Sequence, residues 1–317
     1  MACLNSRADN RLIDTRILRT LDLLHLPGER PAGHLSAASG MAQVGQRLFV
    51  VADDEHSLGV FDLAVDGPGR MVRLFEGQLP SDHRERKAKK PDLEAITALP
   101  AFPGYAFGAL LGVGSGSKQN RQRAVLLHLD EHGAIDGDIG HFDLAPMYEP
   151  LRDRLVDLNI EGLFICGNQL CLLQRGNRDS GINACIWFDW HDVGRWIQGA
   201  AAAPAARSIR EFDLGGIDGV RLCFTDGAAL QSGGWVFCAA AEDTPDSYTD
   251  GRCVGSAVGI VNPDGHLLRI EQIAGGFKAE GIAVAVDGDP LELLLVTDAD
   301  DRRAEAHLLT VTLSRTE

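Results

Sequence analysis

Four acidic residues in this 317-residue chain share one local setting: Glu94-Ala95-Ile96, Glu161-Gly162-Leu163, Asp226-Gly227-Ala228 and Glu280-Gly281-Ile282. Ser39-Gly40-Met41 is a fifth copy with serine in place of the acid. Each copy precedes an apolar run that leads into charged or polar residues: Asp53, Lys118 to Arg121, Arg175 with Arg178, Glu242, and Asp298. Brought to one surface, these side chains offer two chemistries. Asp53, Glu94, Glu161, Asp226, Glu280 and Asp298 are hard oxygen donors on flexible loops, and calcium is the natural metal for such a set. Lys118, Arg121, Arg175 and Arg178 are the cations that would hold an anionic group of a small molecule. His56, next to Asp53-Asp54-Glu55, is the histidine placed for general-base work, and Glu94 and Glu161 are the carboxylates that could join it as catalytic groups. A surface histidine is the plainer reading of His56.

The elements that must position these residues are short strands. Leu48 to Val51, Ala109 to Leu111, Leu170 to Leu173, Trp235 to Cys238 and Leu293 to Val296 follow the five markers at nearly fixed distance. Two further strand candidates with Gly-rich turns fill each interval between markers. A recurrence of this size predicts an all-β fold, a single β-propeller domain over residues 1–317 with five blades; a sixth blade is the alternative if one long interval hides an unmarked unit. The last unit is one strand short, and residues 17–26 read as a strand without a unit of its own, so the N-terminal strand is expected to close the ring. Residues 147–158 and 192–203 read as short helices between blades.

In a four-stranded blade the loop entering the innermost strand and the loop joining the second and third strands lie on the same face. The marker acids and the charged tails therefore converge on one mouth of the central channel. Units two and three are expected to make its basic side, together with the run 84–90, and units four, five and one its acidic side, through Glu242, Asp243, Asp246, Asp298, Asp300, Asp301, Asp53 and Asp54. The competing expectation is that acids and bases simply pair and close the channel, with run 84–90 a solvated charge run.

A formal charge of −15 and a pI near 5.1 speak against nucleic acid or an anionic membrane as partner, since phosphate surfaces demand a basic face. The N-terminus has no apolar signal core and no run approaches a membrane span, so a cytoplasmic protein is expected. The seven cysteines lack C-x-x-C spacing and fit free thiols better than a zinc site.

Lys90-Pro91-Asp92-Leu93-Glu94-Ala95, together with Gly114-Ser115-Gly116-Ser117-Lys118-Gln119-Asn120-Arg121, resembles an uncharacterised bacterial β-propeller family of unknown function. More distantly, the Glu-Gly-aliphatic marker is similar to esterase-like phytase and calcium-dependent lactonase propellers. That likeness implies calcium and ester or phosphoester hydrolysis in a top-face pocket. A non-catalytic propeller that binds a small anionic ligand or a protein partner on the same face is the second functional class.

Overall fold

The computed structural model describes residues 12–24, 33–176, 181–243 and 251–315. Five four-stranded antiparallel units stand around one axis, a five-bladed β-propeller. The innermost strands are Ala38–Val44, Leu93–Leu99, Ile160–Cys166, Val220–Ala229 and Lys278–Val286, and they define blades 1 to 5. The second strands are the apolar runs seen in the sequence. Their residues alternate between the two faces of a blade: Leu48 and Val50 pack toward blade 5, Phe49 and Val51 toward blade 2. Both faces of each blade are covered by a neighbour, which is why these strands read as continuous apolar stretches and not as alternating ones. One hydrophobic cluster fills each of the five interfaces between blades.

The N-terminal strand closes the ring as expected, over Thr15–Thr20. It pairs antiparallel with His307–Leu313 and completes blade 5. The stretch just before it, Leu12–Ile13, adds in parallel to the outer strand of blade 4, so the N-terminal segment ties two blades together. Residues 25–26 of the expected strand lie outside the described residues.

The inter-blade helices sit a little earlier than expected. Asp189 caps Trp190–Ile197 by accepting from the backbone N–H of His191 and Asp192, which starts the helix ahead of residue 192. The region 147–158 is a short α-turn, Ala145–Tyr148, and a 3-10 turn, Glu149–Asp153. Its Met147, Tyr148, Leu151, Leu155 and Leu158 fill the gap between blades 2 and 3. Run 84–90 is largely solvated, as a charge run would be, but Arg86 and Lys90 are buried. His83–Lys89 is a helix capped by Asp82, whose carboxylate accepts from the N–H of Glu85 at 3.0 Å.

A β-bulge marks every inner strand. The ladder skips Ser39, Glu94, Glu161, Thr225 and Glu280, one per blade. In blades 1, 2, 3 and 5 the residue after the bulge is glycine or alanine, as the crowding at the axis requires. A Cβ on Gly40 would stand 2.6 Å from the backbone oxygen of Glu94, and one on Gly281 would stand 3.0 Å from the backbone nitrogen of Met41. The marker is therefore a bulge that turns one side chain toward the channel, followed by a residue small enough for inner strands to touch.

Candidate functional site: the mouth of the channel

The bulges of blades 2, 3 and 5 aim Glu94, Glu161 and Glu280 into a cavity of about 170 Å³ at one mouth of the channel. The ends of the second strands bring Asp53, Arg175, Glu242 and Asp298 to the same cavity. Helix His83–Lys89 lays Arg86 and the residue after it, Lys90, across the rim; both are buried. Four residues apart, they share one face of the helix. Asp92, just before the inner strand of blade 2, takes a left-handed φ of 57° and faces the cavity too. Such a conformation in a non-glycine residue costs energy and is held by its surroundings. Here they are Lys90 Nζ at 2.9 Å, Arg121 Nη1 at 2.8 Å and Ser115 Oγ at 2.5 Å.

Charges of opposite sign interleave around the mouth. Lys90 pairs with Asp53 as well as Asp92. Arg175 faces Glu242 at 2.8 Å, Glu161 at 3.2 Å and Glu280 at 3.8 Å. Lys278 reaches Glu242 at 2.6 Å, Asp300 at 2.7 Å, Glu280 at 3.4 Å and Asp298 at 3.8 Å. Arg86 contacts Asp54 and Glu55, each at 3.3 Å. Carboxylates outnumber cations in the lining.

Burial sets the protonation chemistry. Loss of water pushes Glu94 well above the usual carboxylate range, and the charges of Asp92, Glu161 and Asp53 push the same way. Glu94 is 9 % exposed, lines the cavity and, among the described residues, has neither a hydrogen bond nor an ion pair. Burial also raises Asp92, but Lys90, Arg121 and Ser115 outweigh it and hold its carboxyl below the ordinary value. Glu280 is pushed up to about 8 by burial, with Lys278 and Arg175 opposing. Burial acts to lower Lys90, Lys278 and Arg175, yet the surrounding carboxylates raise all three, so each keeps its proton.

The oxygens of Asp53, Asp92 and Glu94 lie within 4.8 Å of one another, close enough to share one cation. The donors are all oxygen, two residues held at the cavity wall and one, Glu94, without a partner, which is a set that could hold a hard cation. Lys90 Nζ lies against Asp53 and Asp92, so an ammonium group already pairs with two of these three carboxylates.

With this geometry in view, the sequence matches over residues 34–313 the profile of a family described as of unknown function, DUF6929. The chain belongs to that family. No curated protein matches it. Among solved structures it is similar to a luciferin-regenerating enzyme, at 11% identity and a TM-score of 0.46, covering 88% of this chain and 92% of that one. It is also similar to a gluconolactonase of Xanthomonas campestris, at 14% identity and 0.41, covering 87% and 72%. A third is a putative phosphatase of Bacteroides thetaiotaomicron, at 10% identity and 0.45, covering 94% and 78%.

Several sequence expectations need correction for this DUF6929 chain. Asp226 is not the counterpart of the marker glutamates: the bulged residue of blade 4 is Thr225, and Asp226 occupies the position of Gly40, Ala95, Gly162 and Gly281. The hydroxyls confirm the register, because Ser39 Oγ donates to Leu93 O at 2.7 Å and Thr225 Oγ1 donates to Ala279 O at 2.8 Å, each one residue before the next blade's glutamate. A shift of one residue sends the side chain elsewhere. Asp226 is buried on the axis below the mouth and accepts from the N–H groups of Gly227 and Ile282 at 2.8 and 3.1 Å, with Leu163 and Met41 also donating. Its oxygens are taken by backbone donors from four blades, and it does not line the cavity at the mouth.

The basic and acidic sides are not separate, since Arg121 pairs with Asp92 and Arg175 with Glu161 and Glu242. Lys118 is half-buried at the start of the 3-10 turn Gln119–Arg121 and does not line the mouth. His56 lies in a groove outside the mouth, and Arg178 and Asp246 fall outside the described residues. Asp92 and Lys278 were missed as site residues, and Arg86 and Lys90 were expected at the mouth only as members of run 84–90, without a role of their own. Asp82 ahead of a basic run was the available signal for the helix that carries Arg86 and Lys90. Cys171, Cys185, Cys223 and Cys238 are free and buried, and Cys166 and Cys253 are free and half-buried. No helix among the described residues is long and apolar enough to cross a membrane.

Proposed function

We propose that the mouth is the hydrolytic centre of an enzyme acting on a small carboxylic or phosphoric ester, with a calcium-sized cation held by Asp53, Asp92 and Glu94. The observation that supports this reading is Glu94, a buried carboxyl without a partner, aimed into the cavity and within 4.8 Å of two other carboxylates. A cation there would act as a Lewis acid toward the ester. Arg121 and Arg175 are committed to carboxylates, so an anionic substrate depends on the cation for its charge balance. Glu161 is the group left to move a proton: burial raises its carboxyl, Arg175 opposes, and Asn159 Nδ2 donates to it at 2.6 Å.

Binding must displace the proton from Glu94, so affinity should rise with pH. The test is calorimetry of chelator-treated protein with calcium, magnesium and manganese, in buffers of different ionisation heat, beside a screen of lactones, esters and phosphoesters. Wild type should bind with proton release and turn over at least one substrate class, and Glu94→Gln should do neither. Absence of both heat and turnover in wild type overturns the proposal. The alternative is a non-catalytic scaffold whose mouth is a closed ion network, which the contact of Lys90 with Asp53 and Asp92 favours.

A further inference from the structure

Basic side chains also gather away from the mouth, on the outer side of blades 1 and 2. Two neighbouring cavities of about 430 and 700 Å³ share Asn120, Arg123 and His141 in their walls. The first is also lined by His56, Phe75, Glu76 and Lys89. Among the described residues, Lys89 and Arg123 have no ion pair, although both are exposed, and Glu76 is the one acid in that wall. The Phe75 ring stands between two histidines, with its centroid 5.7 Å from that of His56 and 5.3 Å from that of His141. Burial holds His56 below its ordinary value, the contact of its Nδ1 with Gly77 O opposes, and the charges of Arg73 and Arg123 lower it further. Lys89, Arg123 and the two imidazoles thus face one space, with Glu76 and Asp143 also in its walls.

The second cavity continues past Arg123 with a different character. Gln119 offers an amide, Phe142 a half-buried ring packed edge-on against Trp196 at 5.4 Å, and Asp143 an acceptor, while the buried amide of Gln122 donates to Glu149. An amide beside an aromatic wall suits a hydroxylated body, while lysine, arginine and two histidines suit a phosphate. Neither feature belongs to the mouth.

We propose that this groove binds a small hydroxylated phosphate monoester, its phosphate at Lys89, Arg123, His56 and His141 and its body along Gln119 and Phe142. The site is independent of the hydrolytic reading of the mouth. Calorimetry of the full chain with glucose 6-phosphate, inorganic phosphate and glucose tests it. Glucose 6-phosphate should bind, inorganic phosphate more weakly, and glucose not measurably. Arg123→Ala and Lys89→Ala should each weaken the sugar phosphate by about tenfold or more, the loss of one charge-assisted contact, with melting unchanged because both side chains are exposed. Arg302→Ala at the mouth should leave that affinity as it is. No heat from either phosphate at millimolar concentration, or undiminished binding in Arg123→Ala, overturns the site. Equal affinity for inorganic phosphate overturns the assignment of the second cavity to the ligand's body.

Discussion

Arg175→Ala separates an ion network that holds the ring together from a cation kept available for ligands. The guanidinium is buried and faces carboxylates from three blades, Glu161, Glu242 and Glu280. Truncation leaves these three in a low-dielectric space with Lys278, which reaches Glu242 and Glu280, as the remaining counter-charge. Breaking a buried pair by removing one partner costs about 3–5 kcal/mol, because the other charge stays behind. With an unfolding entropy of ~2.1 cal/mol/K per residue, a chain of 317 residues unfolds with ~0.67 kcal/mol/K, so ~4 kcal/mol lowers the melting temperature by ~6 °C. The loss should shrink toward acid, since protonated glutamates no longer need the arginine. Guanidinium denaturation of wild type and variant at pH 8 and pH 5 measures both effects. A loss under ~1 kcal/mol at pH 8, or a loss that does not diminish at pH 5, would refute the reasoning and return Arg175 to the role of a ligand-binding cation.

Glu280 also sets a pH dependence in the wild type. Its folded value of about 8 lies above the ordinary value of 4.5, so the folded state binds the extra proton between them and this contribution to stability is lost as pH rises from ~4.5 through ~8. Glu280→Gln should flatten that slope in denaturation curves, and a slope of opposite sign that survives the substitution would contradict it. Deleting the N-terminal segment through Thr20 removes the outer strand of blade 5 and uncovers its edge; the protein should aggregate in size-exclusion chromatography, and unchanged melting would disprove ring closure. Gly40→Ala forces a Cβ against the backbone of Glu94 and Ala95, which cannot move like a side chain, and should cost about 1–3 kcal/mol in the same denaturation assay.

The sequence by itself pointed to five blades while leaving six open, and it determined the second strands and the face on which the charges gather; the closed ring decided the number. These follow from local pattern: an apolar run covered on both sides, a small residue where inner strands meet, and a recurrence that repeats both. Glu94, Glu161 and Glu280 were legible for the same reason, as bulged residues beside a glycine or alanine that the crowded axis requires. Asp226 was misread because Thr225-Asp226-Gly227 contains two candidates for the bulge, and only the pairing of Phe224 with Ala239 and of Asp226 with Cys238 shows which one is skipped. The partners of the charges lay beyond the sequence altogether. Nothing in the chain near Arg175 indicates that Glu242 and Glu280 will enclose it, and a basic run such as 84–90 gives no sign that Arg86 and Lys90 turn inward while Lys89 stays in water. Local pattern fixes which face of a strand or helix is apolar, whereas the pairing of charges depends on distances between blades that exist only when the ring is closed.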